Sequence, residues 1–262
     1  MEGFDIIKSQ YIKELMMKGI REDGRGAWDY RPITIATGVI DHAEGSAQVD
    51  LGATRVLAGA KLQIEEPMDD TPKQGNLMVQ AELLPLAHAE FESGPPSPES
   101  IEFARVVDRG IRAAECIDLE SLFIEEGKVW SVFIDLYVLN YNGNLFDAGT
   151  LAAMSALASA KMPKYEDGKA IYTERKEPLK LKNMVVSSTF GKVDRNLLLD
   201  TNMHEENASS ARLTITTDGK IIRAMQKGLG GSLTVPEIES LVDVSLNKYS
   251  EVKKQIERAT GR

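Results

Sequence analysis

After the first twenty residues of the chain, apolar and polar positions alternate in several segments. This alternation predicts two successive sets of β-strands. Apolar side chains at Ala47, Val49 and Leu51 recur with a period of two, which buries one face of a strand. Asp218 and Gly219 stand between two later alternating runs and form a specific hairpin signal. The strands predicted in the first set are residues 33–37, 46–51, 55–64, 79–84 and 129–139, and those in the second set are residues 181–190, 195–200, 211–217 and 220–226.

Apolar residues spaced by three or four positions predict the helices between and around these strands. The first helix, at about residues 4–18, would bury one face and end at Gly19. The residues at these spacings are Phe4, Ile7, Tyr11, Leu15 and Lys18. Three further helices are predicted to begin near Pro98, to span residues 148–160, and to begin at Pro236.

The order of these elements predicts an α+β fold. Residues 162–179 are rich in proline, glycine and charge, which is typical of a connector. Two sets of strands capped by helices on either side of it indicate a pseudo-duplicated core. We therefore expect a single domain over residues 1–262, with internal halves at about residues 20–163 and 180–259.

Composition narrows the classes of function. The 262 residues are 42% hydrophobic, with a net charge of -9 that disfavours nucleic acid over the whole surface, so any contact with RNA must be local. No apolar run approaches a membrane span and the N-terminus does not resemble a signal peptide, so no membrane and an intracellular location are expected. The single cysteine, Cys116, excludes an internal disulfide and is expected in the core. The three histidines lack metal-ligand spacing, and no metal site is predicted.

The turn at residues 140–144 joins a predicted strand to a predicted helix, a layout that often holds an anion at the helix N-terminus. Asn144, Leu145 and Phe146 follow Gly143 and supply no cation. Asp147 adds a carboxylate, which we expect to repel phosphate.

Two groups of charged residues are further candidates. Arg105, Arg109 and Arg112 share one helix face, where they could track the phosphates of a single strand of RNA or could form a solvated face paired with nearby acids. Adjacent Glu205 and Glu206 cannot present both carboxylates on one face, which favours a polar loop over a catalytic dyad.

Several segments in this order resemble the RNase PH family, and within it the catalytically silent subunits of archaeal exosomes. They are residues 21–25 (REDGR), residues 31–33 (RPI), residues 45–47 (GSA), residues 51–54 (LGAT), residues 94–113 (GPPSPESIEFARVVDRGIRA) and residues 139–153. The resemblance implies an RNase PH-like fold, which is similar to ribosomal protein S5 domain 2.

The departures from the active family members concern the catalytic centre. Active members carry Gly-Thr/Ser-Arg where this chain aligns Asn144, Leu145 and Phe146. They also carry two aspartates six residues apart, and counting back from the hairpin puts His204 and Ser210 there. The resemblance therefore implies a subunit with no catalytic residues, cofactor or metal of its own.

The resemblance also implies partner subunits and a cellular location. Such subunits pair with a paralogous catalytic subunit, and three heterodimers form a hexameric ring that carries cap proteins and threads single-stranded RNA in the cytoplasm. The arginine row would then lie at the entrance to the partner's active site. Two alternatives stay open: a phosphorolytic 3'-to-5' exoribonuclease that uses Asp194, Asp200 and Glu205 itself, and a metabolic protein that binds a small ligand.

Overall fold

The computed structural model describes residues 2–262, apart from the side chains of residues 2–6 and 176. A six-stranded sheet is built from β1 to β6. Their bounds are β1 Ile33–Thr37, β2 Gly45–Leu51, β3 Thr54–Glu65, β4 Asn76–Leu83, β5 Phe123–Glu125 and β6 Lys128–Asn140. The strand order is β1-β2-β3-β6-β4 with β5 beside β6, and only the β4–β6 pair is parallel.

A four-stranded sheet follows in the second half of the chain. Its strands are β9 Val186–Val193, β10 Asn196–Leu199, β11 Ala211–Thr217 and β12 Ile222–Gly228, in the order β10-β9-β11-β12. The β11–β12 pair is antiparallel, as the Asp218-Gly219 signal predicts. Strand β9 begins five residues later than predicted, because residue 181 forms only an isolated bridge with Ile117.

Helix α3 (Leu145–Ser159) lies in the middle of the molecule and packs on both sheets. Its residues from Phe146 to Ala158 are all buried, because small and apolar side chains surround the whole helix. Helix α2 (Pro98–Ala113) packs on α3 through Phe103 and Val107, and Ser97 caps its first turn. Helix α5 (Val235–Thr260) covers β9 and β11, and Cys116 is buried as expected.

Helix α1 (Glu2–Met17) exists where predicted but buries a different face. Ile12 and Met16 pack against the second sheet and are 0% and 3% exposed, whereas Ile7 and Tyr11 are 69% and 51% exposed. The side chain of Phe4 lies outside the described residues. Leu15, a member of the predicted stripe, is half-buried and packs against the same cluster. The prediction is wrong for Ile7 and Tyr11, because the helix is apolar on two sides and periodicity alone does not choose between them.

The predicted connector is a β-hairpin, so this expectation is also wrong. Strands β7 (Lys161–Glu166) and β8 (Lys169–Pro178) pair antiparallel. Asp167 and Gly168 form the turn with φ angles of 49° and 77°, the left-handed pair that a tight hairpin requires. Proline and charge in these strands are tolerated because the hairpin is a separate two-stranded sheet at the surface.

Residues 203–208 form the short helix α4 (Met203–Ala208), not the polar loop expected there. The Asn202 side chain accepts from the backbone N–H of Glu205, and Glu205 accepts in return from the N–H of Asn202. This reciprocal capping box stabilises a helix too short to form on propensity alone. No helix in the described part of the chain is both long and apolar enough to cross a membrane.

Candidate nucleic-acid interface and vacated anion site

The turn between β6 and α3 is clamped to the second half of the molecule. Gly143 has a φ of 81°, and a Cβ placed on it would lie 2.6 Å from the Thr201 carbonyl oxygen. Arg31 donates to the carbonyl oxygens of Asn142 (2.6 Å) and Gly143 (3.2 Å). The Thr54 hydroxyl also donates to the Gly143 carbonyl, at 2.6 Å. The turn is therefore rigid, and its carbonyl groups already have donors.

The N-terminus of α3 binds carboxylates of the chain itself. The backbone N–H of Asn144 donates to Glu206 Oε2 at 2.9 Å. The Asn144 side chain accepts from the N–H of Asp147 and donates to Asp147 and Asp200 at 2.9 and 2.7 Å. Carboxylates thus occupy the positions where a helix N-terminus would otherwise hold an external anion.

Asp147 does not face the anion position, which corrects the expectation that it repels phosphate there. Its carboxylate is fully buried and accepts from the N–H and hydroxyl of Thr189, at 2.9 and 2.7 Å, and from the Tyr30 hydroxyl at 3.3 Å. Burial raises the pKa of Asp147 to about 7, against the opposing effect of the hydrogen bonds from Asn144 and Thr189. Asp147 therefore links α3 to β9.

Leu145 and Phe146 line a groove of about 900 Å³, which we call the acidic groove. It lies between the ends of β4 and β6, the loop before α2, and α4. Seven carboxylate residues line it: Glu82, Glu90, Glu92, Glu99, Glu102, Asp135 and Glu206. Phe91, Tyr137 and Tyr141 provide aromatic faces in the same groove.

Arg212, at the start of β11, is the one arginine that lines the acidic groove. Its guanidinium carbon lies 4.3 Å from the centroid of the Phe146 ring, within cation–π distance. The same guanidinium donates to Glu102 at 2.7 Å and lies 3.9 Å from Glu206. Burial is the largest cause that raises the pKa of Glu206. In the sequence, Glu206 stands out only as the neighbour of Glu205, and Arg212 has no recognised role, although the spacing of six residues between Glu206 and Arg212 was an available signal.

His204 and Ser210, the acid positions inferred by counting, do not line the acidic groove. His204 contacts Glu22 (2.8 Å) and Lys8 (2.9 Å), and Ser210 donates to the Lys192 carbonyl. The assignment of His204 and Ser210 stays a prediction. The pair six residues apart that the structure brings into the groove is Glu206 and Arg212.

Two of the three acids that an independent enzyme would use are held in structural ion pairs. Glu205 is 0% exposed and forms a bidentate pair with Arg21, at 2.9 and 2.6 Å. Asp200 is equally buried and pairs with Arg31 at 2.8 Å. Asp194 is an exposed turn residue with a φ of 53°. Among the side chains that the structure describes, no group of three or more histidine, cysteine, aspartate or glutamate residues could hold a metal ion.

The arginine row divides between two surfaces. Arg105 and Arg109 are exposed and flank a second groove of about 480 Å³, the arginine groove, which lies between α2 and β12. Arg109 makes one long contact, 3.5 Å, with the Gln226 side chain. Arg112 instead donates to Asp108 (2.8 Å) and the Leu77 carbonyl (2.8 Å), beside β4. Two guanidinium groups are thus available to a ligand, and the third is used within the fold.

Comparisons with known proteins agree with this architecture. The chain matches the 3' exoribonuclease family, domain 1, over residues 29–163 and domain 2 of the same family over residues 183–248. Exosome complex component Rrp42 of Thermococcus gammatolerans is 46% identical over 95% of this chain and 94% of the relative. Exosome complex component Rrp42 of Sulfurisphaera tokodaii is 44% identical over 96% of this chain and 95% of the relative.

Solved structures are similar over nearly the whole chain. A chain of the Archaeoglobus fulgidus exosome with RNA bound to the active site has a TM-score of 0.91 and 42% identity, and covers 96% of this chain and 98% of its own length. A chain of an archaeal exosome core has a TM-score of 0.87, with 39% identity over 97% of this chain and 98% of that one. Rice Rrp46, at 18% identity and a TM-score of 0.70 over 90% of this chain and 98% of its own, shares the fold. The RNase PH-like fold is therefore confirmed, and the chain belongs to the 3' exoribonuclease (RNase PH) family.

Proposed function

We propose that this chain is a non-catalytic subunit of an archaeal RNA exosome. In this role it completes the active site of a paralogous catalytic subunit and helps to hold RNA during 3'-to-5' degradation. Relatives that match over nearly their full length bear the name exosome complex component Rrp42, which supports the assignment to this complex. The structural neighbours described as exosomes support it as well.

One observation carries the non-catalytic part of the proposal: Glu206 accepts the Asn144 N–H at 2.9 Å. A phosphate at this position would have to displace that carboxylate. The phosphate could also pair with Arg212 only if the hydrogen bond from Arg212 to Glu102 were broken. Two charges about 4 Å apart at an effective dielectric constant near 20 repel by roughly 4 kcal/mol, which corresponds to a loss in affinity of about a thousandfold.

The RNA-binding part rests on Arg105 and Arg109. Their exposed guanidinium groups flank one groove, and arginine forks match phosphate oxygens in a bidentate manner. A net charge of -9 disfavours RNA elsewhere on the surface, so a local basic site agrees with the composition. Arg112 belongs to the proposed row by sequence, but its contacts favour a structural role.

The assembly proposed for the chain is a hexameric ring of three heterodimers that carries RNA-binding cap proteins in the cytoplasm. The test is co-expression with an RNase PH-type catalytic subunit, followed by measurement of the native mass and of phosphorolysis by each component and by the complex. We expect activity in the complex and a mass that fits three copies of each subunit. Failure of the two chains to associate would contradict the proposal.

A further inference from the structure

The acidic groove has an excess of negative charge that the fold does not neutralise. Arg212 pairs with Glu102 and approaches Glu206, but the other five carboxylates of the groove make no ion pair with any described residue. A groove of this charge repels nucleic-acid phosphates and attracts cationic groups. Its volume of about 900 Å³ is large enough for protein side chains.

Arg212 shows which cation the groove accommodates. Its guanidinium lies over an aromatic ring, Phe146, with the guanidinium carbon 4.3 Å from the ring centroid, while one of its N–H groups donates to the Glu102 carboxylate. This combination of stacking and charge-assisted hydrogen bonding is specific to arginine, since the ammonium of lysine is a compact, strongly hydrated point charge.

The same combination recurs, without a guanidinium, at the outer edge of the six-stranded sheet. Glu82 on β4 is the register partner of Tyr137 on β6, and Asp135 lies two residues before Tyr137 on the same face. Tyr137 is 37% exposed, and neither carboxylate has a cationic partner among the described residues. Burial raises the pKa of Asp135, and burial raises the pKa of Tyr137, with a further contribution from the charges of Asp135 and Glu82.

We propose that the acidic groove receives an arginine-bearing segment of a neighbouring ring subunit, with one guanidinium on the Tyr137 ring between Glu82 and Asp135. This inference rests on the proposed assembly into a ring. It gives the vacated catalytic groove a second use as a contact between subunits. Interfaces favour such sites, because arginine and tyrosine contribute strongly to binding when both are desolvated.

The test compares two double variants of equal charge change in the co-expressed complex. Glu82→Gln with Asp135→Asn removes both carboxylates of the groove site, and Glu239→Gln with Asp243→Asn removes two exposed acids on α5. We expect the groove variant to weaken association with the RNase PH-type partner about tenfold or more and to flatten its salt dependence. The α5 variant should stay within about twofold of the wild type.

A second pair of variants separates the loss of the cation–π contact on the Tyr137 side chain from a general effect on folding. Tyr137→Leu should weaken association, whereas Tyr137→Phe should retain it, since phenylalanine keeps the aromatic face. Thermal unfolding of each isolated variant checks that the fold is intact. Equal association of the groove and α5 variants in a complex that still assembles would overturn this inference alone. An effect on RNA affinity without an effect on assembly would overturn it too, and failure of the wild-type chains to associate would overturn the proposed function as well.

Discussion

Replacing Arg105 and Arg109 by alanine in the assembled complex probes the proposed RNA contact. Both side chains are exposed, and the contacts found for them amount to one 3.5 Å contact between Arg109 and Gln226. Little is therefore lost from the fold when they are removed. Each guanidinium is free to neutralise one phosphate of a bound strand, so the double variant should lose two such contacts.

The size of the effect follows from counterion release. Each phosphate contact on a single strand contributes about 0.7 to the slope of log K against log salt, so two contacts contribute about 1.4. At about 0.1 M salt this slope difference corresponds to a loss in affinity of roughly 25-fold, and at about 1 M salt the difference disappears.

The assay is fluorescence anisotropy of a labelled poly(A) oligonucleotide over a range of salt concentrations. Arg105→Lys with Arg109→Lys should keep most of the slope, because the charge is retained. Arg112→Ala should leave the slope unchanged, because that guanidinium is bound to Asp108 and the Leu77 carbonyl. A double alanine variant with the wild-type slope would refute the assignment of Arg105 and Arg109 to RNA binding.

Three further predictions concern stability of the isolated chain. Arg21→Met should lower the free energy of unfolding by about 3 kcal/mol, the lower end of the range for breaking a buried pair, because it leaves the buried Glu205 with only the Arg25 guanidinium, 3.9 Å away. Adding Glu205→Leu should restore part of the loss in a double-mutant cycle measured by urea denaturation. Burial raises the pKa of Asp147 from 3.8 to about 7, so the folded state binds a proton on this carboxyl more tightly than the unfolded state does. Protonation of Asp147 therefore contributes its full stabilisation below about pH 4, and this contribution is lost as the pH rises through 7. Relative to Asp147→Asn, the free energy of unfolding should therefore fall by on the order of 4 kcal/mol between pH 4 and 8, and a constant difference would contradict this. Gly143→Ala should lower the free energy of unfolding by roughly 1–3 kcal/mol more than Gly127→Ala. Both glycines have a positive φ, but only at Gly143 would the added Cβ lie within 2.7 Å of backbone atoms. Equal shifts of the thermal melting curves for the two variants would contradict this.

Periodicity predicted those elements whose apolar pattern has one possible buried face. Strands β1 and β11 have the predicted bounds, and α2 begins at Pro98 because Ser97 and the proline mark its start. Helix α1 was predicted in place but with the wrong buried face. Its packing depends on the second sheet, which is far away in sequence.

Two local signals were present in the sequence and were outweighed by composition. Asp167-Gly168 is the same hairpin dipeptide as Asp218-Gly219, yet the surrounding proline and charge favoured a connector. Asn202 and Glu205 have the spacing of a capping box, which indicates the start of α4. Neither signal requires knowledge of the tertiary structure.

The candidate site was predictable as a location but not as an arrangement. The turn after β6 and the absence of a cation in residues 144–146 can be read from the sequence. That Glu206 binds the N-terminus of α3, and that Arg212 lies on Phe146, depends on how the second sheet docks against the first. Asp147 is a further example, because the sequence places a carboxylate next to the turn but does not show that this side chain is buried in the core.

The most direct test of the account measures nucleoside diphosphate release from poly(A) by the isolated chain, with inorganic phosphate and Mg²⁺ in excess and the ring complex as a positive control. Because Glu206 occupies the anion position at Asn144, we predict no release above background by the chain alone and release by the complex. Turnover by the isolated chain that persists after purification to homogeneity and is lost on changing Glu206 or Arg212 would contradict the account.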